Sequence, residues 1–350
     1  MKEAQGSSHE QILPRISIVM ASYNRARFLA GALDSLAWQE YPDLEVIVVD
    51  NGSIDNTREI CASFENRITQ LRYIYEETPG LHVGRHLGME LAKSENLVFI
   101  DDDIIAEQGW LQAIVNTFND PNVQLVGGPS LPLYDKAPPE WMEAYWTRAP
   151  DGKSSCGYLS LIDYGDKECE IDPTLIWGLN YSIRKNTLID LGGFHPDSFP
   201  WQLRRFRGDG ETSTSVEAKR RGLKAIYQPG ACVHHIIPAN RMTVEYFERR
   251  AFLQGISDSF LRLRQPHDRK GLDKEINEID WLLPIRMLKK GLKKILAPTT
   301  NDINRDIKNR IGQAHKAGRS FHQREVQCDP ALLEWVLRKD YLGENARLPF

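Results

Sequence analysis

The chain is poor in the features that mark several large protein classes. Its five cysteines, Cys61, Cys156, Cys169, Cys232 and Cys328, are odd in number and widely scattered, with no Cys-x-x-Cys spacing for zinc or redox chemistry. A reducing, cytoplasmic setting is expected. No uninterrupted apolar run approaches the length that spans a bilayer, and the polar start from Met1 to Pro14 lacks the apolar core of a signal peptide. Neither sign of charge dominates: 44 Lys and Arg stand against 48 Asp and Glu, so no global field favours nucleic acid. A G-x-x-x-x-G-K-[ST] loop is missing, which disfavours P-loop chemistry. So are internal repeats and low-complexity tracts. What remains is ordinary globular composition, 41% hydrophobic and 26% charged over 350 residues, enough for one large core and a smaller appendage.

Three consecutive carboxylates, Asp101, Asp102 and Asp103, directly follow the apolar run Leu97-Val98-Phe99-Ile100. Like charges so close repel, and a fold that gathers them at a buried strand end normally supplies a cation. A calcium loop fails as the explanation, because counting from Asp101 puts Ala106 and Gln112 where an EF-hand needs Gly and Glu. A second junction has the same form: the buried-strand pattern Leu44 to Val49 runs into Asp50-Asn51-Gly52-Ser53-Ile54-Asp55. In open α/β sheets ligands bind beyond the carboxyl ends of parallel strands, so two acidic strand ends point to one cleft.

Around these junctions the pattern alternates. A strand at Ile16 to Met20 is followed by a helix carrying Phe28, Leu29, Leu33 and Leu36, then the strand into Asp50. A helix over 56–64, a strand at Leu71 to Tyr75, a helix over 83–92 and the strand into Asp101 follow. That order predicts a doubly wound, mostly parallel sheet flanked by helices. A helix near Trp110 to Phe118 and a strand near Val123 to Gly127 lead into an irregular stretch of Pro, Tyr and Trp. Further strands are expected at Ile176 to Ile183, Lys224 to Tyr227 and Val233 to His235, and mainly helix beyond Pro238. The expected division is a tail at 1–14, a catalytic domain at 15–237 with halves near 15–127 and 128–237, and a helical region at 238–350.

The order of the segments Ile18 to Arg25, Val48 to Asp55, Phe99 to Asp103, Trp177 to Arg184, Gly192-Gly193-Phe194 and Gly210-Glu211 through His235 resembles glycosyltransferase family 2. The resemblance implies the GT-A fold, a Rossmann-like α/β architecture, with a helical C-terminal extension. It further implies a nucleotide diphosphate sugar, usually a UDP-sugar, as donor and Mn2+ or Mg2+ bridging diphosphate and protein. Ala21, Tyr23, Arg25 and Asp50 would then surround base and ribose, Tyr23 stacking on uracil and Asp50 accepting from its edge. Alanine at 21 departs from the more usual proline or threonine. The family's D-x-D pattern maps onto Asp101 and Asp103. Strand alternation would send those two to one side and Asp102 to the other, with Asp103 on the metal and Asp101 or Asp102 on hydroxyls. Arg85 falls where the family has a helix arginine facing the diphosphate; His86 replaces the usual asparagine and receives no role. Glu211 matches the second acid of the family's Glu-Asp pair and is the expected general base, with Asp209 as runner-up. His235 matches a histidine that completes the metal shell, and His234 would point the other way.

The expected function is metal-dependent, inverting sugar transfer to a hydroxyl of a glycan, glycolipid or glycoprotein. A nucleotidyltransferase and a catalytically dead sugar-nucleotide or glycan binding module are the rivals. The apolar and basic stretch 285–296 suits either a contact with the inner face of a membrane near a lipid-linked acceptor or plain docking on the catalytic domain. Arg241, Tyr246, Phe247 and Arg250 suit an acceptor wall or simple docking.

Overall fold

The computed structural model describes residues 15–265 and 300–349. The stretch 285–296 lies outside them.

The first half alternates as expected: β1 (Ile16–Ser22), α1 (Ala26–Ala37), β2 (Leu44–Asp50), α2 (Thr57–Phe64), β3 (Leu71–Tyr75), α3 (Leu81–Leu91) and β4 (Asn96–Ile100). Then come β5 (Ile104–Ala106), α4 (Trp110–Phe118), β6 (Val123–Gly127), β7 (Ser130–Tyr134), β8 (Thr147–Arg148), β9 (Ser154–Cys156), β10 (Leu161–Asp163) and β11 (Cys169–Glu170). The chain continues through β12 (Asn180–Arg184), α5 (Lys185–Asp190), α6 (Thr212–Arg220), β13 (Lys224–Tyr227) and β14 (Val233–Ile237). It ends in α7 (Val244–Arg264), α8 (Thr300–Cys328) and α9 (Pro330–Leu337).

The main sheet has the order β11-β13-β6-β12-β4-β1-β2-β3. Its β4-β1-β2-β3 half is parallel, while β12 runs antiparallel to both β4 and β6. All seven residues of β1 are buried, as expected for a central strand covered on both faces. Helix α3 lies close on β1 because Gly84 and Gly88 face it. A Cβ on Gly88 would sit 2.3 Å from Val19, and one on Gly84 would sit 2.9 Å from the Cβ of Ala21. One turn apart on one face, the two glycines let the helix backbone approach and aim its N-terminal half at the strand ends.

Two expectations need correction. The strand expected from Ile176 begins only at Asn180, because Pro173–Leu175 forms a 3-10 turn and Gly178 approaches other side chains instead of pairing. The irregular aromatic stretch contributes most of a second sheet, β5-β14-β7-β10-β9-β8. Its strands are two to five residues long, too short for a period of two to show in the sequence.

This second sheet builds the site. Strand β5 starts just after the aspartates and pairs antiparallel with β14, setting Ile104 opposite His235. The N–H of Ile236 also donates to the carbonyl of Asp103, 2.9 Å. Backbone register thus brings the third aspartate beside the histidine.

Candidate active site

An open cleft of about 500 Å³ lies over the carboxyl ends of β1 and β4, and Ala21, Tyr23, Arg25, Asp101, Asp102, Asp103 and His235 all line it. Its rim is fixed by cross-loop bonds. Asn24, with φ of 54°, donates its N–H to Ser53 Oγ (2.8 Å) and accepts from Ile54 N–H (2.9 Å). Asparagine tolerates that left-handed conformation better than most residues. Asp55 accepts from the first N–H of α1, at Ala26, and from Thr57, so its role is to cap and tie two loops. Tyr23 stands half exposed on the cleft wall.

The three aspartates do not alternate. Residues 102 and 103 form a turn, which puts Asp102 and Asp103 together on Arg25 and leaves Asp101 apart. Arg25 Nε donates to Asp102 at 2.6 Å and Nη2 to Asp103, while Ser22 Oγ donates to the other oxygen of Asp102 at 2.6 Å. Burial pushes the Asp102 carboxyl well above its usual range despite Arg25, and the charge on Asp103 adds to the rise. Burial also acts upward on Asp103, but the guanidinium groups of Arg25 and Arg241 outweigh it and hold that carboxyl below its usual range.

Both ring nitrogens of His235 have fixed partners. Arg241 Nη1 donates to its Nε2 (2.8 Å), so Nδ1 carries the proton, which goes to the carbonyl of Leu159 (2.8 Å). Nε2 itself lies 3.4 Å from Asp103 Oδ2, and Arg241 Nη2 lies 2.8 Å from the same oxygen, so Arg241 spans histidine and carboxylate. An imidazole whose Nδ1 is tied to a carbonyl, beside the carboxylate of Asp103, could hold Mn2+ or Mg2+ through Nε2 once Arg241 gives up that nitrogen. His234 points to the other face, with Nε2 2.7 Å from Glu107.

Behind the cleft, and sharing Asp101, Ser160 and Arg250 with it, is a polar cavity of about 170 Å³ lined by Arg85, Asp209 and Glu211. Arg85 is buried. Its Nη2 donates to Gly178 O (2.8 Å) and Asp101 (3.2 Å), and Nη1 lies 3.6 Å from Glu211. Gly178 N–H in turn donates to Glu211 Oε1 at 2.9 Å. A Cβ at 178 would sit 2.7 Å from the guanidinium and 3.0 Å from Glu211, so glycine is what allows both to touch its backbone. Arg85 therefore bridges the aspartate turn to Glu211 and lies on the smaller cavity rather than the main cleft. Asp209 is occupied: His195 Nδ1 lies 2.7 Å from one oxygen and Ser213 Oγ donates to the other at 2.5 Å. Glu211 keeps its second oxygen toward the cavity, with a side chain 23% exposed.

Of the expected site residues, Asp50 lines neither the cleft nor the cavity. It is buried, and its oxygens accept from Ser53 N–H and Tyr73 OH, both at 2.8 Å. Sequence reasoning passed over Tyr75, the exposed last residue of β3, although the strand-end rule that picked Asp50 applies equally to its register partner. It also passed over Tyr158 and Ser160, which arrive from the second sheet.

Residues 17–170 match the model described as Glycosyl transferase family 2. The chain is 24% identical over 257 residues to the glucosyl-dolichyl phosphate glucuronosyltransferase of Haloferax volcanii, covering 72% of this chain and 79% of that protein. It is 37% identical over 185 residues to glycosyltransferase AglE of the same organism, covering 52% and 56%. With the validoxylamine A glucosyltransferase of Streptomyces hygroscopicus subsp. jinggangensis it shares 28% identity, covering 54% and 49%. The chain thus spans about half the length of the latter two relatives. Among solved structures, the mannosyltransferase PcManGT from Pyrobaculum calidifontis in complex with GDP-Man and Mn2+ superposes with a TM-score of 0.55 at 19% identity, covering 90% of this chain and 88% of that one. Among the described residues no helix is long and apolar enough to cross a membrane. Residues 17–170 thus match glycosyl transferase family 2 in sequence, and the chain shares the GT-A fold of that mannosyltransferase.

Proposed function

We propose that this transferase moves a hexosyl or N-acetylhexosaminyl group from a nucleotide diphosphate sugar, with inversion, to a hydroxyl of a glycan, glycolipid or glycoprotein. The observation that carries the reading is the pairing of two chemically different walls around Asp101: Asp103 with His235 Nε2 on the cleft side, and Glu211 on the cavity side. Asp103 and His235 would hold Mn2+ or Mg2+, whose chemistry is neutralisation of charge on a departing diphosphate.

The protein's own part follows from its charges. Glu211 Oε2 takes the proton of the acceptor hydroxyl as that oxygen attacks the anomeric carbon. The bond from that carbon to the diphosphate oxygen breaks on the opposite face, and the diphosphate leaves with the electron pair. Arg241 and Arg25, already beside Asp103, supply positive charge for that leaving group. Arg85 holds Glu211 against its backbone anchor and so orients the base. Tyr23 and Tyr75 offer exposed ring faces for a nucleobase. UDP is the nucleotide expected from the sequence resemblance. The GDP-mannose of the mannosyltransferase widens the set worth testing, and the lipid phosphate in the name of the glucuronosyltransferase keeps lipid-linked acceptors in view.

The test is release of nucleoside diphosphate from UDP-, GDP- and TDP-sugars with Mn2+ or Mg2+, comparing the native protein with Asp103→Ala and Glu211→Gln. Metal-dependent turnover of one donor, lost in Asp103→Ala, is the expected result. Failure of every donor to bind by calorimetry would overturn the reading in favour of a module that binds glycans only.

A further inference from the structure

Five arginines line the cleft and the cavity behind it: Arg25, Arg85, Arg207, Arg241 and Arg250. Four are committed to carboxylates. Arg25 holds Asp102 (2.6 Å), Arg85 holds Asp101 (3.2 Å), Arg241 holds Asp103 (2.8 Å), and Arg207 pairs with Asp197 and donates to Ser257 Oγ (3.2 Å). Arg250 has no hydrogen bond and no ion pair among the described residues. It is nevertheless half-buried and lines both spaces.

A guanidinium has five N–H donors in a rigid fork, and none of those of Arg250 meets an acceptor among the described residues. The cavity's carboxylates give no reason for it to be there. Asp197 is taken by Arg207 and Asp209 by His195 and Ser213, while Glu211 accepts from Gly178 through Oε1 and its Oε2, 3.6 Å from Arg85, makes no ion pair with Arg250. The geometry also gives the side. Arg250, Gln254 and Ser257 stand at i, i+4 and i+7 on α7, one face of the helix, and all three line the cavity that holds Glu211. Gln254 and Ser257 do not line the main cleft, where Arg25 and Arg241 already stand beside Asp103.

We propose that Arg250 receives a phosphate-class anion carried by the acceptor, beside the hydroxyl that Glu211 deprotonates. The fork geometry suits bidentate contact with two phosphate oxygens. This inference rests on the transferase reading and narrows it, from any hydroxyl-bearing acceptor to one phosphorylated near the attacking oxygen.

The experiment is calorimetry on the full chain with Mn2+ and whichever of UDP or GDP binds. The probes are matched pairs: glucose against glucose 1-phosphate, and N-acetylglucosamine against its 1-phosphate. The phosphorylated member of a pair is expected to bind at least tenfold tighter than the neutral one. Arg250→Gln is expected to erase that preference while shifting nucleoside diphosphate affinity less than twofold, with Arg250→Lys intermediate. A tenfold loss of UDP or GDP affinity in Arg250→Gln, with the acceptor preference intact, would assign the guanidinium to the donor and overturn the inference. Equal binding of both members by the native chain overturns it too. If no nucleoside diphosphate binds at all, the transferase reading fails first and takes this inference with it.

Discussion

The strand-end face of β1, β2 and β4 and the C-terminal helices treat polar groups in opposite ways. On the strand-end face ionised groups collect in view of solvent: Asp101 and Glu211 have side chains 37% and 23% exposed, and Arg25 29%. Where α7 to α9 dock, polar atoms are consumed by packing. Trp335 Nε1 donates to Phe206 O (2.9 Å), Tyr341 OH to Trp335 O (2.6 Å), and Arg264 Nη1 to Val336 O (2.6 Å). The first region keeps bonding capacity for a ligand, while the second spends much of its own on backbone carbonyls. Substitutions should therefore separate activity from stability, according to which region they touch.

The largest separation is expected at Asp103. Asp103→Ala removes the carboxylate that meets His235, Arg25 and Arg241 and should lower kcat/KM at least about a thousandfold, equivalent to about 4 kcal/mol of barrier. Thermal melting of the same variant should show it folded. A variant that still turns over at a tenth of the native rate would remove Asp103 from the mechanism.

Next come the two acids of the cavity. Glu211→Gln should lower kcat roughly a hundredfold to a thousandfold with little change in melting temperature, because the amide still accepts from Gly178 N–H. Asp209→Asn should do the reverse. Its buried carboxylate anchors His195 and Ser213, and weakening those bonds costs about 1–3 kcal/mol of stability. If Asp209→Asn silences a protein of native stability, the base assignment moves to Asp209.

These pairs also show what the sequence made legible. Asp101 to Asp103 stand next to each other in the chain, so their meeting needed no fold. His235 is 132 residues beyond Asp103, and only the β5 to β14 register joins them. The alternation argument for Asp102 failed because it carried strand geometry past Ile100 as far as Asp103, whereas the chain turns at residues 102 and 103. Helix α7 was readable from Tyr246, Phe247, Phe252 and Phe260, but not that its other face turns Arg250 toward Glu211's cavity. Local chemistry was visible in the sequence. Chemistry assembled by the second sheet and the C-terminal helices was hidden in tertiary register.

A smaller effect separates the regions by pH. His86 lies where the C-terminal segment docks: Phe194 N–H donates to its Nε2 (2.8 Å), and its Nδ1 lies 3.0 Å from the carbonyl of Tyr341. Burial lowers its pKa from 6.5 to about 4; the Tyr341 bond and Asp340 act upward, His195 and Arg85 downward. Buried His82 beside it and His322 against Ser259 are shifted the same way by burial, His322 to about 3. The folded state needs these rings neutral, whereas the unfolded chain binds their protons near pH 6.5. Their contribution is thus fully present above that pH and falls away as pH drops toward 4, by about 3 kcal/mol for His86 alone. Urea midpoints should fall steeply between pH 6.5 and 4. His86→Gln, which can keep both hydrogen bonds but cannot titrate, should flatten that slope; an unchanged slope would place the acid sensitivity elsewhere.

The smallest expected effect tests whether the C-terminal helices act only as a scaffold. Helices α7 and α8 cross at two glycines: a Cβ on Gly318 would lie 1.9 Å from the carbonyl oxygen of Phe252, and one on Gly255 would lie 2.1 Å from that of His315. Backbone lies on both sides of the contact, so no side chain can swing away to make room. Gly318→Ala must push the helices apart, which costs typically 1–3 kcal/mol for overpacking, less a few tenths regained from alanine's better helix propensity. Arg250 rides on α7 only two residues from Phe252, whereas Asp103 and His235 are held by sheet register. Gly318→Ala should therefore lower the melting temperature and raise the KM for acceptor two- to fivefold, while nucleotide affinity stays put. If donor and acceptor affinities fall together, the helices support the whole cleft, and the division between a ligand-facing region and a self-closed one does not hold.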